Sequence, residues 1–192
     1  MSKVKIEKVL PPLTLPVCLA GAMTNGKPNF NTIAWFTMLN DTPPLIGLSM
    51  ARGRYTAKGI RESGLFSVNV PSSDTVAAVD YCGLHSGKTV DKSALFEVFY
   101  GDLKTAPMVQ ACPLTMECRL VRTVDFGGSD FFVGEIVSIY VEESALKNGK
   151  PDVEKLDPIL FFMPEGPYRK VGRTLAGAWE IGQDYRPAPS RV

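Results

Sequence analysis

The hydrophobic residues of this chain occur in short runs that proline and glycine separate. The 192 residues include 15 prolines and 17 glycines. The apolar runs between them are 15–22, 31–38, 45–50, 65–70, 114–121, 131–141 and 159–163. Runs this short, bounded by turn residues, favour strands over helices. The frequent prolines and glycines limit the fold more than any other feature, because they require many short strands joined by turns.

Alternation within the runs indicates that the strands are half-buried. In 114–120, Leu114, Met116, Cys118 and Leu120 fall on one face, whereas Thr115, Glu117 and Arg119 fall on the other. A period of two places successive side chains on opposite faces of a sheet. Six or seven such strands predict an antiparallel barrel or sandwich.

Two segments between the strands have helical features. The first predicted helix is 55–63, which Gly64 follows as a C-terminal cap residue. The second is 72–81, after Pro71, with Ser72 or Ser73 as the N-cap. The polar stretch 144–158 is predicted to be a surface loop with a turn at Asn148-Gly149. The sequence therefore predicts a β-barrel covered by a few helices.

Composition favours a single soluble domain over residues 1–192. Hydrophobic residues make up 45% of the chain and charged residues 21%, with a net charge of +1. This balance supports a packed core and disfavours nucleic acid or an anionic membrane as the main partner. Prolines at 11, 12 and 16 interrupt the apolar segment that follows the N-terminus, which is unfavourable for a signal peptide. No apolar run approaches the ~20 residues of a membrane-spanning helix. We expect a cytoplasmic protein.

The cysteines and the single histidine give little support for a metal or nucleophilic site. Cys18, Cys82, Cys112 and Cys118 form no CxxC pair, so neither a zinc site nor a disulfide framework is indicated. We expect them to be mostly buried small hydrophobic residues. His85 follows Cys82 by three positions, but the usual third member of a catalytic group is missing. The segment "SGKTVDK" lacks the upstream glycine of a phosphate loop.

Glu135 is an unusual carboxylate, because it shares one face of the run 131–141 with Val133, Val137, Ile139 and Val141. A buried carboxylate is costly unless it is paired. A salt bridge or hydrogen bond at a barrel rim is the preferred interpretation, and a catalytic acid is the alternative.

Polar residues cluster where strands end and suggest a ligand. The clusters are Asn29, Asn31, Thr32, Ser49 and Asn69; Arg52, Arg54, Tyr55, Thr56 and Lys58; and the loop "CGLHSGKTVDK". Hydroxyls, loop amides and cations suit a phosphate. Amide side chains and strand-end backbone suit a flat heterocycle. Polar loops without a ligand are the alternative.

The chain resembles the flavin reductase-like family, in particular its flavoredoxin branch with the FMN-binding split-barrel fold. The matching segments run in order through most of the chain: "PV" (16–17), "GKPNFNTIAWF" (26–36), "PPLIGLSM" (43–50), "YTAKGI" (55–60), "FSVNVP" (66–71), "DYCG" (80–83), "SGKTVDK" (86–92), "PLTMEC" (113–118), "FFVGEIV" (131–137), "KLDPILF" (155–161) and "PYRKVG" (167–172). The resemblance implies a mainly β fold, an antiparallel six-stranded split β-barrel with flanking helices.

The resemblance also implies which residues meet the cofactor. The ring is expected beside Asn31, Thr32, Ile33 and Ala34, and the phosphate and ribityl chain beside Ser49, Met50, Arg52, Tyr55 and Thr56. The loop with Cys82, Gly83, Ser86, Gly87 and Lys92 is expected to close on the phosphate end. Trp35 and Tyr168 are expected to border the ring, with plain core packing as the alternative for Trp35.

The resemblance implies a homodimer that binds FMN without a covalent bond, with FAD less favoured. The implied function is electron transfer from NAD(P)H or a protein donor through the flavin, without a general acid or base. The alternatives are an electron carrier without its own NAD(P)H turnover and a structural protein that has lost the flavin. One departure is Ser93, which stands where the family usually has an aromatic residue. A more open pocket entrance is expected there.

Overall fold

The dominant element of the structure, a computed structural model that describes residues 2–7, 10–164 and 166–186, is a seven-stranded antiparallel sheet. The strands of the chain are β1 (Thr14–Pro16), β2 (Cys18–Thr24), β3 (Lys27–Ile33), β4 (Phe36–Asp41), β5 (Pro44–Ala51), β6 (Leu65–Val70), β7 (Val98–Phe99), β8 (Met108–Val109), β9 (Leu114–Asp125), β10 (Ser129–Val141), β11 (Leu146–Lys147), β12 (Lys150–Pro151), β13 (Ile159–Phe162) and β14 (Tyr168–Lys170). The α-helices are α1 (Tyr55–Ser63), α2 (Val76–Leu84) and α3 (Val153–Leu156).

The order of the large sheet is β3-β2-β6-β9-β10-β5-β4. Its two end strands, β3 and β4, are consecutive in the chain and are joined by Ala34 and Trp35 alone. A link of two residues holds the ends close together, so the sheet must curl round on itself. The sheet is a barrel that is split between β3 and β4.

The predicted antiparallel β fold with flanking helices is confirmed, with one difference in the strands. The run 31–38 was expected to form a single strand, but it contains the end of β3 and the start of β4. The large sheet has seven strands, which is within the six or seven that the apolar runs predict and one more than the resemblance implies. The division has a physical cause, because the chain leaves one edge of the curled sheet there and enters the opposite edge.

The core lies inside the curled sheet. Phe66 and Phe132 are fully buried among apolar side chains of β2, β5, β6 and β9, and Ala57 and Ile60 of α1 contribute to the same cluster. A second cluster around Phe30 joins β2 and β3 to Val79 and Cys82 of α2. Cys18, Cys82, Cys112 and Cys118 are all buried free thiols, as the sequence predicts.

Both faces of β9 are covered along its first half, which differs from the half-buried strand predicted there. Thr115 and Glu117 are almost completely inaccessible. The Glu117 carboxylate accepts hydrogen bonds from the backbone N–H groups of Gly101 at 3.1 Å and Leu103 at 3.2 Å, and from the Tyr140 hydroxyl at 3.4 Å. The loop between β7 and β8 therefore covers the face that was expected to meet solvent.

The observed helices have the predicted boundaries at some ends and different boundaries at others. Helix α1 has the predicted bounds, and Gly64 follows it in the left-handed region with φ 67°. The predicted second helix begins as a 3₁₀ turn at Ser73–Thr75 and continues as α2 to Leu84. Ser72 caps the 3₁₀ turn by position, without a side-chain hydrogen bond.

The predicted surface loop at 144–158 is more ordered than expected. It contains the hairpin of β11 and β12, with the predicted turn at Asn148 and Gly149, where φ is 54° and 73°. Helix α3 follows, and the Asp152 side chain caps it by accepting hydrogen bonds from Glu154 N and Lys155 N. The cap explains why a polar segment forms a helical turn here.

Successive residues of β10 alternate between a buried face, which includes Phe132 and Ile136, and an outer face, which includes Glu135. Its carboxylate is 3.8 Å from the Arg119 guanidinium, and both side chains are substantially exposed. The predicted salt bridge is present. No helix in the described ranges is long and apolar enough to cross a membrane.

Candidate functional site

A groove opens at the split between β3 and β4. It has a volume of about 190 Å³, and its lining residues are Asn31, Thr32, Ile33, Ala34, Trp35, Ser49, Met50, Ala51 and Arg54. Most of these are residues that the sequence predicts at a cofactor. The groove exists because the chain passes between opposite sheet edges at Ala34 and Trp35 and leaves strand-end backbone accessible.

Hydrogen bonds fix the backbone along the groove. The Thr32 hydroxyl donates to the Val79 carbonyl of α2, and the Asn31 amide donates to the Thr32 carbonyl at 3.2 Å. The Ser49 N–H donates to the Trp35 carbonyl at 2.8 Å, which ties β5 to the link. The polar residues at the front of the apolar run therefore anchor the strand end where it leaves the sheet.

The Trp35 side chain lies at the rim of the groove. It is 47% exposed, so it is not a core residue. Its indole Nε1–H points to the Met163 sulfur at 2.9 Å, which holds the ring in place. A partly exposed aromatic ring at the rim can contact a flat ligand.

The positive charge of the groove comes from Arg54, which is not among the residues predicted from the resemblance. Arg54 occupies the N-cap position of α1, and its Nη1 donates to the Gly83 carbonyl at 3.0 Å. The predicted Arg52 instead pairs with Asp130 at 3.1 Å and Asp125 at 3.0 Å. The segment "RGR" contains both arginines, and the sequence does not indicate which one reaches the groove. Arg52 is held away from it by ion pairs with Asp125 and Asp130 of the β9–β10 hairpin, which is distant in the sequence.

A second cavity of about 290 Å³ shares Thr32 and Ala34 with the groove. Its other lining residues are Val17, Asp80, Gly83, Leu84, Phe161 and Tyr168, so the predicted Gly83 and Tyr168 lie here. The Tyr168 hydroxyl donates to Asp80 Oδ1 at 2.9 Å. Burial, together with this bond to the carboxylate, raises the pKa of Tyr168 to about 12. The phenol is therefore a hydrogen-bond donor at neutral pH.

A third cavity of about 330 Å³ lies beside the loop 87–92 and the start of α1. The predicted Tyr55, Gly87 and Lys92 line this cavity rather than the groove. Gly87 packs closely on Asn29, because a Cβ at position 87 would lie 2.0 Å from Asn29 Oδ1. Only glycine allows this loop to approach β3 so closely.

The remaining predicted residues have internal partners. Thr56 is buried, and its hydroxyl accepts a hydrogen bond from the Asn29 side-chain amide at 2.6 Å. The Ser86 carbonyl accepts a hydrogen bond from the Thr89 N–H in a tight turn. Lys92 is 2% exposed, and its ammonium donates to the carbonyls of Phe30 at 3.0 Å and Cys82 at 2.8 Å. Burial lowers the pKa of Lys92. Phosphate contacts by Lys92 and Arg52 stay predictions, and each of these side chains already has partners within the protein.

The residues that line the groove suit a flat heterocycle with an anionic tail. Strand-end backbone can hydrogen bond to a polar ring edge, and the partly buried Arg54 can pair with a phosphate. The residues present therefore suit a flavin mononucleotide.

Comparison with known proteins supports this interpretation. A model of the flavin reductase like domain matches residues 12–168. The chain is similar to a flavoredoxin from Methanosarcina acetivorans, with 47% identity, 95% of this chain and 98% of that chain covered, and a TM-score of 0.92. It is also similar to the flavoredoxin of Desulfovibrio vulgaris (Miyazaki F), with 31% identity, 95% and 100% covered, and a TM-score of 0.84.

A third similar structure is an FMN-binding protein from Thermus thermophilus with bound 1-cyclohex-2-enone. It has 26% identity, covers 92% of this chain and 100% of its own, and has a TM-score of 0.79. The family model spans most of the chain, and the resemblance predicted from the sequence is confirmed. The chain therefore belongs to the flavin reductase-like family.

Proposed function

We propose that the groove at the split binds FMN without a covalent bond, and that the protein transfers electrons through it from NAD(P)H or a protein donor. The observation that carries this proposal is the junction of β3 and β4, where strand-end backbone and Arg54 line one groove. The similar FMN-binding protein and the two similar flavoredoxins support a flavin ligand. FAD is the less favoured cofactor.

The residues of the chain bind and orient the cofactor in this proposal. The backbone of 31–35 would hold the polar edge of the ring, and Arg54 would neutralise the phosphate. When bound, the flavin supplies hydride and electron chemistry, while the protein sets its orientation and its access to solvent. A cation or a backbone N–H near the ring stabilises negative charge that develops there.

The second cavity gives the proposed reaction a place for another molecule. Thr32 and Ala34 line both spaces, so a ligand in the second cavity would lie directly against the strand end that holds the flavin. Leu84 and Phe161 supply apolar surface, and the Tyr168 hydroxyl can orient a polar group. The proposed reaction needs no general acid or base from the protein.

We also propose that the protein forms a homodimer through exposed apolar side chains of β4 and β10, the two strands that flank β5. Met38, Leu39, Val137 and Ile139 are exposed on these strands. Exposed apolar side chains on strands this close together are surface that a partner protein can cover. A symmetric dimer would bury these side chains of one protomer against the same side chains of its partner.

The alternative function is an electron carrier that does not oxidise NAD(P)H itself. The similarity to two flavoredoxins favours this alternative, whereas the family description favours a reductase. The two candidates share the same flavin site and differ only in whether a reduced nicotinamide reaches the flavin.

Flavin retention tests the proposed function. The protein is purified with FMN in excess, passed through a gel-filtration column, and measured at the flavin absorbance band. We expect about one FMN for each chain. A colourless protein that does not retain FMN would refute the proposal.

A further inference from the structure

Residues 171–186 follow the last strand and form an arm whose apolar side chains are uncovered. Its large apolar residues, with their exposed fractions, are Leu175 (91%), Trp179 (92%), Ile181 (73%) and Tyr185 (76%). Exposed apolar side chains this numerous on one short segment are surface that another protein can cover. We propose that the arm docks on a second copy of this chain, where Trp179 covers the second cavity beside the flavin groove. This inference rests on the proposed function, because it completes the flavin site with a residue of the partner subunit.

The barrel of the same chain does not hold the arm. Within the described part of the chain, the hydrogen bonds of residues 173–186 join residues of that segment only. None of the salt bridges among the described residues includes a residue of that segment. The arm therefore keeps its apolar side chains available for another chain.

A turn presents Trp179 before any partner binds. The Ile181 N–H donates to the Gly177 carbonyl at 3.3 Å, and the Gln183 side-chain amide donates to the Trp179 carbonyl at 2.8 Å. Trp179 has a φ of 63°, in the left-handed region that a bulky residue rarely adopts. A strained residue of this kind often belongs to a functional segment. A pre-formed turn also reduces the ordering that binding requires.

The second cavity offers an apolar surface that an indole ring can cover. Val17, Leu84 and Phe161 line it, and Leu84 is 72% exposed. A tryptophan suits such a place because its ring covers apolar surface while its N–H can stay at a wet edge. Trp179 over Leu84 would shield from water both this cavity and the strand end that it shares with the groove.

The proposed dimer places a partner within reach of this cavity. Strand β4 begins at Phe36, directly after Trp35 at the rim of the groove, and Met38 and Leu39 of the proposed interface follow. Three residues of a strand span about 10 Å, so a partner held there lies beside the groove. Trp179 is nine positions beyond the end of β14, and a segment of that length spans up to about 30 Å. The arm is long enough to cross from one protomer to the other.

The area of the arms is what a specific dimer requires. An aromatic side chain buries about 150–250 Å². Four large apolar side chains on each of two arms therefore supply on the order of 1,000 Å², the size at which an interface becomes specific. A second copy is the partner that accounts for both arms, because a symmetric exchange gives each arm the same cavity and leaves neither uncovered.

Chemical cross-linking tests where the arm docks. The His85→Cys and Ala178→Cys substitutions place exposed thiols next to Leu84 and Trp179 and leave both contact residues intact. The four natural cysteines are buried, so a short bis-maleimide reagent acts on the introduced pair. We expect a covalent dimer on a denaturing gel, with a linked peptide that joins positions 85 and 178. In the control pair, Thr123→Cys replaces His85→Cys at an exposed position outside the cavity and should give a much lower yield.

The same gel distinguishes docking on a partner from docking on the same chain. A link within one chain leaves a monomer band and would overturn the proposal, as would no link or equal yields from the two pairs. The thiol reaction needs no flavin. A protein that cross-links but does not retain FMN would therefore contradict the proposed function alone, whereas retention of FMN without a link would contradict this inference alone.

The affinity of the dimer gives an independent measurement. Sedimentation of the FMN-loaded protein compares the parent with Trp179→Ser and with Val121→Ser, which changes an exposed apolar residue outside the arm. Trp179→Ser should raise the Kd of the dimer by roughly a hundredfold, because each of two arms loses an aromatic anchor. Val121→Ser should change it by less than about twofold. Equal effects of the two substitutions, or a monomeric parent, would overturn the proposal.

Discussion

Replacing Arg54 with alanine should weaken FMN binding much more than riboflavin binding. Arg54 is the charged residue among those that line the groove, and within the described part of the chain one of its guanidinium N–H groups has a protein acceptor, the Gly83 carbonyl. The other N–H groups remain available for the FMN phosphate. A hydrogen bond to a charged group contributes about 1.5–3 kcal/mol. Its loss should raise the Kd for FMN by about tenfold to a hundredfold.

The assay is titration of the flavin-free protein, followed by the quenching of flavin fluorescence. Riboflavin lacks the phosphate, so its affinity for the parent and for Arg54→Ala should be nearly equal. Arg52→Ala is the matched control, because Asp125 and Asp130 already neutralise Arg52. Equal weakening of FMN and riboflavin would mean that Arg54 acts through folding. A larger effect of Arg52→Ala on FMN would place the phosphate elsewhere.

Three further predictions concern stability and assembly. The pKa of Tyr168 is about 12 in the folded protein and 10.0 for an ordinary tyrosine. The stability that the protonated phenol contributes is therefore complete below pH 10 and is lost as the pH rises through 12. Urea midpoints between pH 8 and 12 should fall more steeply for the parent than for Tyr168→Phe, and parallel curves would contradict this. Glu117→Gln should lower the free energy of unfolding, measured with urea, by about 2–3 kcal/mol. The reason is that the buried acceptor of the Gly101 and Leu103 N–H groups loses its charge. An unchanged urea midpoint would show that the loop does not depend on this carboxylate. Light scattering should give a mass near twice 20.9 kDa, and a monomer that still holds FMN would exclude the dimer.

Local signals in the sequence predicted several elements well. Helix α1 and strand β6 have the predicted bounds, since Gly64 ends the helix and begins the turn into the strand. The turn at Asn148 and Gly149 was also found where expected. These features depend on neighbouring residues, so a single sequence contains the information that specifies them.

Features that depend on distant residues could not be predicted in the same way. The run 31–38 contains neither proline nor glycine, so nothing local marks the break at Ala34 and Trp35. Burial of Glu117 requires the loop of Gly101 and Leu103, which comes earlier in the chain and packs on the outer face of β9. Such contacts follow from the closure of the barrel and from loop packing, and neither leaves a local pattern.

The choice between Arg52 and Arg54 shows the same limit within the site. The two arginines are two positions apart and have similar neighbours in the sequence. Arg52 pairs with carboxylates of the β9–β10 hairpin, while Arg54 reaches the carbonyl of Gly83 beside the groove. The segment that forms the site was predictable, but the residue that supplies its charge was not.

Reduction of the bound flavin under anaerobic conditions tests the central claim most directly. The FMN-loaded protein is mixed with NADH or NADPH, and the absorbance of the flavin is followed without oxygen. We predict that one of the two nucleotides bleaches the flavin within seconds, and that added FMN or a ferric complex is then reduced over many turnovers. Flavin that stays oxidised for many minutes with both nucleotides, while dithionite bleaches it at once, would contradict the reductase and establish the carrier.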